Sequence, residues 1–388
     1  MSSQEMLNDA EIIEMKKQPT YAESIHALAT SNLYTNITGA VLLPFAFLSF
    51  YLHWGDNATF LINLVVIVCL AKMLDFTTDQ LSKEMGQTLG ALVNASFGNA
   101  VELIVGIMAL RAGQIEVVQA SLLGSILSNL LFVLGFCFFF GGLKFHDQKF
   151  NPAAANISSS LLALTTLGFL LPSVFHLTTS DEKLSETFSR GTSVLLLFIY
   201  IGYMFFQLKT HSELFEAEQE EEEEEEMECN VISAVFGLIV TTILIGFCAE
   251  FLVDSIDGIA TSWKISHGFI GLIILPIVGN AAEHVSALFA ALRNKMDLAI
   301  GVSLGSSLQI AIFVTPVLVL VGWIIGQPLT LDFPVFDISV IFATVLIVIN
   351  LINDGNSNWL EGFILLMSYF IIGFAFYLLP DPASALLQ

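Results

Sequence analysis

Charged residues are scarce in this sequence. They account for 13% of its 388 residues, and Lys and Arg together number only 13. A soluble domain usually carries about a quarter charged residues, so the composition excludes an ordinary soluble protein. Hydrophobic residues account for 55%, and runs such as residues 231–247 reach the roughly 17–25 residues that a helix needs to cross a bilayer. The sequence therefore predicts an integral membrane protein.

Cysteine is also rare, with four residues and no CxxC pair. Three of the four, Cys69, Cys137 and Cys248, lie in apolar stretches, so the cysteines are interpreted as small core residues. The first 35 residues are polar and lack an apolar core, so no cleavable signal peptide is expected.

Much of the net charge of −23 is a local feature. Eleven glutamates lie between Glu213 and Glu228, and the remaining sequence is only moderately acidic. This segment is interpreted either as a solvated linker or as a cytosolic element for cation capture or regulation. The residues assigned to that second role are Glu216, Glu218, Glu220, Glu221, Glu222, Glu223, Glu224, Glu225 and Glu226.

Hydropathy predicts an all-α polytopic membrane protein with eleven transmembrane helices. The apolar runs are long and continuous rather than alternating, which excludes a β-barrel. The predicted spans are residues 37–54, 58–76, 86–110, 115–142, 153–176, 190–209, 230–252, 267–292, 297–325, 334–352 and 358–379. With the N-terminus in the cytoplasm, nine Lys and Arg residues fall on the cytoplasmic side and four on the other. This bias favours a cytosolic N-terminus.

The glutamate run divides the predicted helices into two sets of five. The expected order is a cytoplasmic N-terminal segment, a leading helix, a first repeat, an acidic cytoplasmic segment and a second repeat. These parts are residues 1–36, 37–57, 58–209, 210–229 and 230–388. Because five is odd, the two repeats must have opposite orientations in the membrane. Inverted repeats are typical of secondary transporters, whose substrate site lies at the repeat interface.

The two halves share a motif at an offset of 181 residues. Residues 98–102, GNAVE, superpose on residues 279–283, GNAAE. The same offset carries Gly90 onto Gly271 and residues 124–125 onto residues 305–306. Asn and Glu are uncommon deep in membrane helices, so this match predicts an internal repeat.

Glu102 and Glu283 are the central residues of the predicted site. A carboxylate in the middle of a spanning helix is costly and indicates function. Each glutamate shares a helix face with the Asn three residues before it. Two carboxylates, two amides and freed backbone carbonyls would form an oxygen cluster, which suits a hard cation such as Ca²⁺. The predicted cation and proton site comprises Glu102, Glu283, Asn99, Asn280, Gly98 and Gly279.

The next helix of each half carries further polar residues. Ser125 and Ser306 are matched by the offset and are predicted to join the site, while Asn129 and Gln309 either coordinate the cation or bond neighbouring helices. His284 has no counterpart in the first half. It is interpreted either as a packing or pH-tuning residue or as a proton carrier.

The presence of two glutamates in one site also suggests that protons are the coupling ion. Two carboxylates close together in a low dielectric cannot readily both be ionised, so either a divalent cation or protons must neutralise them. That competition predicts Ca²⁺/H⁺ antiport by alternating access. Mn²⁺ preference or Na⁺ coupling remains open. A passive channel is disfavoured because no filter loop is visible, and an intramembrane hydrolase because the paired acids are glutamates in a repeat.

Four segments resemble a known family: residues 86–135, residues 271–316, SRGTS at 189–193 and DGNSNWLEG at 354–362. They are similar to the cation/proton exchanger branch of the Ca²⁺/cation antiporter superfamily, especially fungal-type vacuolar Ca²⁺/H⁺ exchangers. The resemblance implies an eleven-helix vacuolar or endomembrane exchanger that imports Ca²⁺ into an acidic compartment. It also implies that Glu102 and Glu283 bind the cation and that the acidic segment is a helix on the cytosolic face. The expected partners are Ca²⁺, H⁺ and lipid, with no nucleic acid, no cofactor beyond the transported ions and no enzymatic activity.

Overall fold

A computed structural model describes residues 19–179, 181–215 and 227–379, and most of them are helical. The helices before the acidic segment are α1 Tyr21–Thr30, α2 Leu33–Tyr51, α3 Asp56–Phe97, α4 Ala100–Arg111, α5 Ile115–Leu127, α6 Leu134–Phe145, α7 Pro152–Thr178 and α8 Glu182–Phe205. Those after it are α9 Val231–Asp254, α10 Ile256–Trp263, α11 His267–Phe269, α12 Leu275–Gly279, α13 Ala281–Leu292, α14 Met296–Gln309, α15 Thr315–Ile325, α16 Val335–Ile352 and α17 Trp359–Leu378.

Shorter elements connect these helices. Four stretches of the described residues are π-helical, and two of them, after α5 and after α14, lie at equivalent places under the offset of 181. The π-helical stretches are Ser128–Val133, Phe206–Thr210, Ile270–Ile274 and Ile310–Val314. A 3₁₀ turn covers Ser212–Phe215. Strands β1 Asp147–Lys149 and β2 Asn356–Asn358 pair antiparallel, with Asp147 opposite Asn358.

Nine helical segments within the described residues are long and apolar enough to cross a membrane. They coincide with nine of the eleven predicted spans, so the all-α membrane fold is confirmed. The other two predicted spans, 86–110 and 267–292, are the ones that contain the repeated motif. Each is broken at its Gly-Asn pair. The helices Ile256–Trp263 and His267–Gly279 together could make a tenth span among the described residues, bent by 112°. The exact count of eleven is therefore not confirmed.

Helix α3 is too long for a single straight span, and it is folded back on itself. A Cβ placed on Gly90 would collide with the carbonyl oxygen of Ser82. In a straight helix two residues eight positions apart are separated by about 12 Å along the axis. The chain must therefore bend sharply between these residues, in the region where the sequence predicts a loop between spans 58–76 and 86–110.

Hydrogen bonds between residues that are far apart in the sequence mark the two ends of the bundle. At one end, called the acidic-segment end, the side chain of Gln80 accepts from the backbone of Glu228 and Gln148 donates to the carbonyl of Ala291. At the other, called the opposite end, Gln114 donates to Asp257 and Asn57 donates to Ser262. Successive long helices therefore run in opposite directions between these two ends, as in a bundle of membrane-spanning helices.

Helices α2, α3 and α9 pack together on one side of the bundle. Phe251 of α9 stacks on Phe50 of α2, with 4.3 Å between the ring centroids. Large apolar side chains such as Phe198, Ile232 and Phe236 are more than half exposed on the outer surface of the bundle. An apolar exterior of this extent is what a lipid-facing surface requires.

Candidate cation site

The two Gly-Asn motifs lie where a membrane helix is interrupted. Asn99 has φ −102° and ψ 26°, and Asn280 has φ −91° and ψ 8°, so both leave the regular helical geometry. Neither Asn side chain caps the helix that follows, so both amides remain available to other helices. Glu102 and Glu283 then fall in the first turns of α4 and α13.

The Asn side chains bond across the two halves of the chain. Asn99 Nδ2 donates to Gln309 Oε1 at 2.6 Å, and Ser306 Oγ donates to Asn99 Oδ1 at 3.3 Å. In the reverse direction, Asn280 Nδ2 donates to Ser125 Oγ at 3.3 Å. The structure thus brings together, at one place, the amides and hydroxyls that the sequence predicted from both repeats.

Asn129 belongs to the same network, because its Nδ2 donates to Ser306 Oγ at 3.0 Å. The sequence left open whether Asn129 coordinates the cation or bonds a neighbouring helix. The structure shows a bond to a neighbouring helix. Gln309 likewise bonds a neighbouring helix through Asn99. Its carbonyl oxygen is the acceptor in that bond, so one of its two lone pairs is already used.

Both carboxylates lie at the interface between the halves. Glu102 Oε1 is 3.2 Å from the position that a Cβ on Gly279 would occupy, so the carboxylate rests on the backbone of the other motif. Glu283 is within hydrogen-bonding reach of Ser306 and within electrostatic reach of Glu102. Gly98 lies at the helix break, and only Asn94 contacts its Cβ position among the described residues.

Two oxygens of this cluster are buried without a partner. Asn280 Oδ1 and Glu283 Oε2 accept no hydrogen bond from any of the described residues. A buried polar atom left unpaired costs about 1–3 kcal/mol. Both atoms are hard oxygen donors, so a Ca²⁺ ion would satisfy them together.

No group of three or more His, Cys, Asp and Glu side chains in the described ranges is arranged to hold a metal ion. The candidate site is of a different kind, since it combines two carboxylates with amide and hydroxyl oxygens. A cleft adjoins Glu102. Ser125, Pro276 and Gly279 line this cleft beside apolar residues such as Leu252. The cleft therefore lies between the two halves of the chain.

His284 lies beside this cluster and packs on an aromatic ring. Its ring centroid is 6.0 Å from that of Phe132. Its Nε2 is buried and has no hydrogen-bond partner in the described part of the chain. Both interpretations of His284 stay predictions. The candidate regulatory glutamates at 216, 218 and 220–226 lie outside the described residues.

Sequence reasoning missed one charged residue near Glu283. Lys72 lies inside the predicted span 58–76, and the sequence analysis assigned it no role at the site. In the structure it lies within α3, and its Nζ is 3.5 Å from Ser286 Oγ, one helical turn beyond Glu283. A lysine inside an apolar span was the signal that could have identified it.

The helix crossings beside the site differ between the halves. A Cβ on Gly124 would collide with the carbonyl of Leu272, and one on Gly271 would lie 2.8 Å from the Cβ of Ala120. The counterpart of Gly124 is Gly305, and no described atom lies within 4 Å of its Cβ position. Helix α5 therefore touches the backbone of residues 270–274, whereas Gly305 of α14 makes no such contact.

Comparison with known proteins gives a consistent result. The family described as "Sodium/calcium exchanger protein" matches residues 57–209 and 233–378. A vacuolar calcium ion transporter of Schizosaccharomyces pombe is 46% identical over 346 residues, covering 88% of this chain and 84% of the relative. A Ca²⁺/H⁺ antiporter of Aphanothece halophytica is 39% identical over 355 residues, covering 88% of this chain and 95% of the relative.

Solved structures agree with the fold. The structure of native YfkE is similar with a TM-score of 0.77 and 36% identity, and the match covers 89% of this chain and all of that one. A structure of the H⁺/Ca²⁺ exchanger CAX has a TM-score of 0.66 at 12% identity, covering 90% of this chain and 93% of that one. At that identity the second match supports the fold alone.

Proposed function

Because this chain belongs to the sodium/calcium exchanger family, we propose that it exchanges Ca²⁺ for H⁺ across a membrane through Glu102 and Glu283. The direction that fits its relatives is from the cytosol into an acidic compartment such as the vacuole, since several of them are named as vacuolar transporters. The Lys and Arg distribution supports a cytosolic N-terminus, and it would place the acidic-segment end in the cytosol.

One observation carries the proposal: the cluster holds two carboxylates together with buried oxygens that lack partners. In a low dielectric the two carboxylates cannot readily stay ionised side by side. Ca²⁺ neutralises both charges and uses the unpaired oxygens, whereas protons neutralise the charges without needing them. The two ions therefore exclude one another from the same atoms, which is the requirement for exchange.

The remaining site residues hold this arrangement in place. Asn99 and Asn280 offer amide oxygens, and Ser125 and Ser306 orient those amides across the interface. Gly279 leaves room for the carboxylate of Glu102. Gly98 and the Asn that follows it interrupt the helix, which frees backbone carbonyls in a place that lines a cavity.

Alternating access is the transport mode we propose. Its support is the difference between the tight crossing at Gly124 and the open position at Gly305, because inverted repeats in unlike conformations can expose a site to one side at a time. Rocking of the α2, α3 and α9 group against the other helices would exchange the two conformations.

Purified protein in sealed vesicles tests the function. Vesicles with an acidic interior should accumulate Ca²⁺ against its gradient, and a protonophore pair that collapses the pH difference should stop the accumulation. A passive channel would only equilibrate Ca²⁺ with or without the pH difference. Uptake driven by a Na⁺ gradient alone would show that the coupling ion is Na⁺ and not H⁺. Competition between Mn²⁺ and Ca²⁺ for uptake would show which of the two cations the protein prefers.

A further inference from the structure

Lys72 is a positive charge fixed beside the cation site. Its side chain is 19% exposed, and Nζ lies 3.7 Å from Asp75 Oδ2 on the next turn of α3. The same Nζ donates to Ser286 Oγ of α13 at 3.5 Å. The ammonium therefore links α3, which belongs to the α2, α3 and α9 group, to the helix that carries Glu283.

The charge acts on Glu283. Lys72, Asp75 and Glu102 are charged groups that lie close enough to act electrostatically on the carboxylate of Glu283. Ser286 follows Glu283 by three residues, so its hydroxyl lies on the same face of α13. The hydrogen bond from Lys72 to Ser286 holds the ammonium within one turn of the proposed ligand.

The other half of the chain places no charge in the equivalent position. Under the offset of 181, Lys72 corresponds to Val253 and Ser286 corresponds to Val105. Val105 lines the cleft that adjoins Glu102, and Leu252, next to Val253, lines it too. The approach to Glu102 is thus apolar where the approach to Glu283 is charged.

We propose that Lys72 sets the affinity of the site for the divalent cation on the acidic-segment side. This inference rests on the proposed function. The ammonium offsets part of the negative potential at Glu283, and a divalent ion feels that potential with twice the weight of a singly charged ion. Lys72 therefore weakens Ca²⁺ binding, which lets the cation leave the site again. It acts as a positioning charge and does not itself contact the cargo.

Replacing Lys72 with Met removes the charge and keeps an unbranched side chain. We expect the KM for Ca²⁺ to fall about three- to tenfold, without a rise in the maximal rate, in initial uptake by vesicles with the acidic-segment end outward. Lys72→Gln should give the same direction, and it provides a polar alternative if the Met variant does not fold. Lys72→Arg keeps the charge and should keep KM within about twofold of wild type.

Lys83→Met is the matched control. Lys83 lies on the same helix, eleven positions beyond Lys72, and its Nζ pairs with Asp79 at 2.8 Å. Its KM should equal that of wild type. An unchanged or raised KM in both Lys72→Met and Lys72→Gln would refute the inference, and so would an equal fall in Lys83→Met. Neither result touches the proposed function, which fails if the wild-type vesicles show no proton-driven uptake or if Glu102→Gln or Glu283→Gln keeps near-normal uptake.

Discussion

The two halves of this chain carry the same polar motif but surround it with different helix contacts. At the opposite end, Gly124 and Gly271 allow α5 to lie directly against the backbone that leads into α12. The counterpart Gly305 has no neighbour at its Cβ position among the described residues, and the three atoms nearest that of Gly90 all belong to Ser82. One sequence pattern thus supports two packing arrangements. In a protein with alternating access, the tight crossing and the open crossing would change places between the two halves.

The largest effect expected is loss of transport when either carboxylate is neutralised. Glu102→Gln and Glu283→Gln keep the size of the side chain but remove the charge that Ca²⁺ and H⁺ compete for. Each variant should reduce pH-driven Ca²⁺ uptake by about a hundredfold or more. Glu250→Gln is the control, since Glu250 is exposed on α9, and its uptake should match wild type. Near-normal uptake by either single Gln variant would contradict the two-carboxylate mechanism. It would also show that the glutamates of the two halves do not have equivalent roles.

The glycine crossings give the next largest effect, and they respond differently to the same change. Gly124→Ala puts a methyl group into the backbone of Leu272, and overpacking of this kind destabilises a fold by about 1–3 kcal/mol. Gly305→Ala meets no neighbour and removes a helical Gly, so it should be neutral or stabilise by up to about 1 kcal/mol. Thermal unfolding of the detergent-purified variants measures both effects.

Transport by the Gly305 variants then tests the exchange of conformations. If α14 must close as tightly as α5 does now, Gly305→Leu should fold normally and still lose most of its uptake. Gly202→Leu is a control, since Gly202 lies on α8 and also has open space at its Cβ position among the described residues. Normal uptake by Gly305→Leu would mean that this crossing never closes, and the contrast between the halves would be a fixed property of the fold.

The smallest effect concerns the acidic segment that joins the halves. Surface carboxylates attract cations weakly and are screened over about 8 Å at physiological ionic strength. Replacing Glu220 to Glu226 with Gln should therefore raise the KM for Ca²⁺ by about threefold or less at low salt, and leave the maximal rate unchanged. Uptake assays at low and high ionic strength measure this. Complete loss of uptake in a folded variant would show that these residues take part in the exchange itself.

The sequence by itself determined the helical membrane fold and the residues that come together. Nine predicted spans coincide with helices because hydropathy over twenty residues is a strong local signal. The match at offset 181 brought Asn99, Ser125, Asn280 and Ser306 into one prediction, and each of the four makes a hydrogen bond across the two halves. Their positions could be inferred because a buried polar group in a membrane helix needs a partner.

Tertiary structure alone decided how the two halves differ. The fold-back of α3 near Gly90, the contact of Gly124 with Leu272 and the approach of Lys72 to Ser286 all join residues from separate helices or distant turns. A glycine is equally compatible with a tight crossing and with open space, so Gly124 and Gly305 read alike in the sequence. Which of them is in contact depends on the packing of whole helices, and that packing is set by contacts summed over the bundle rather than by any local pattern.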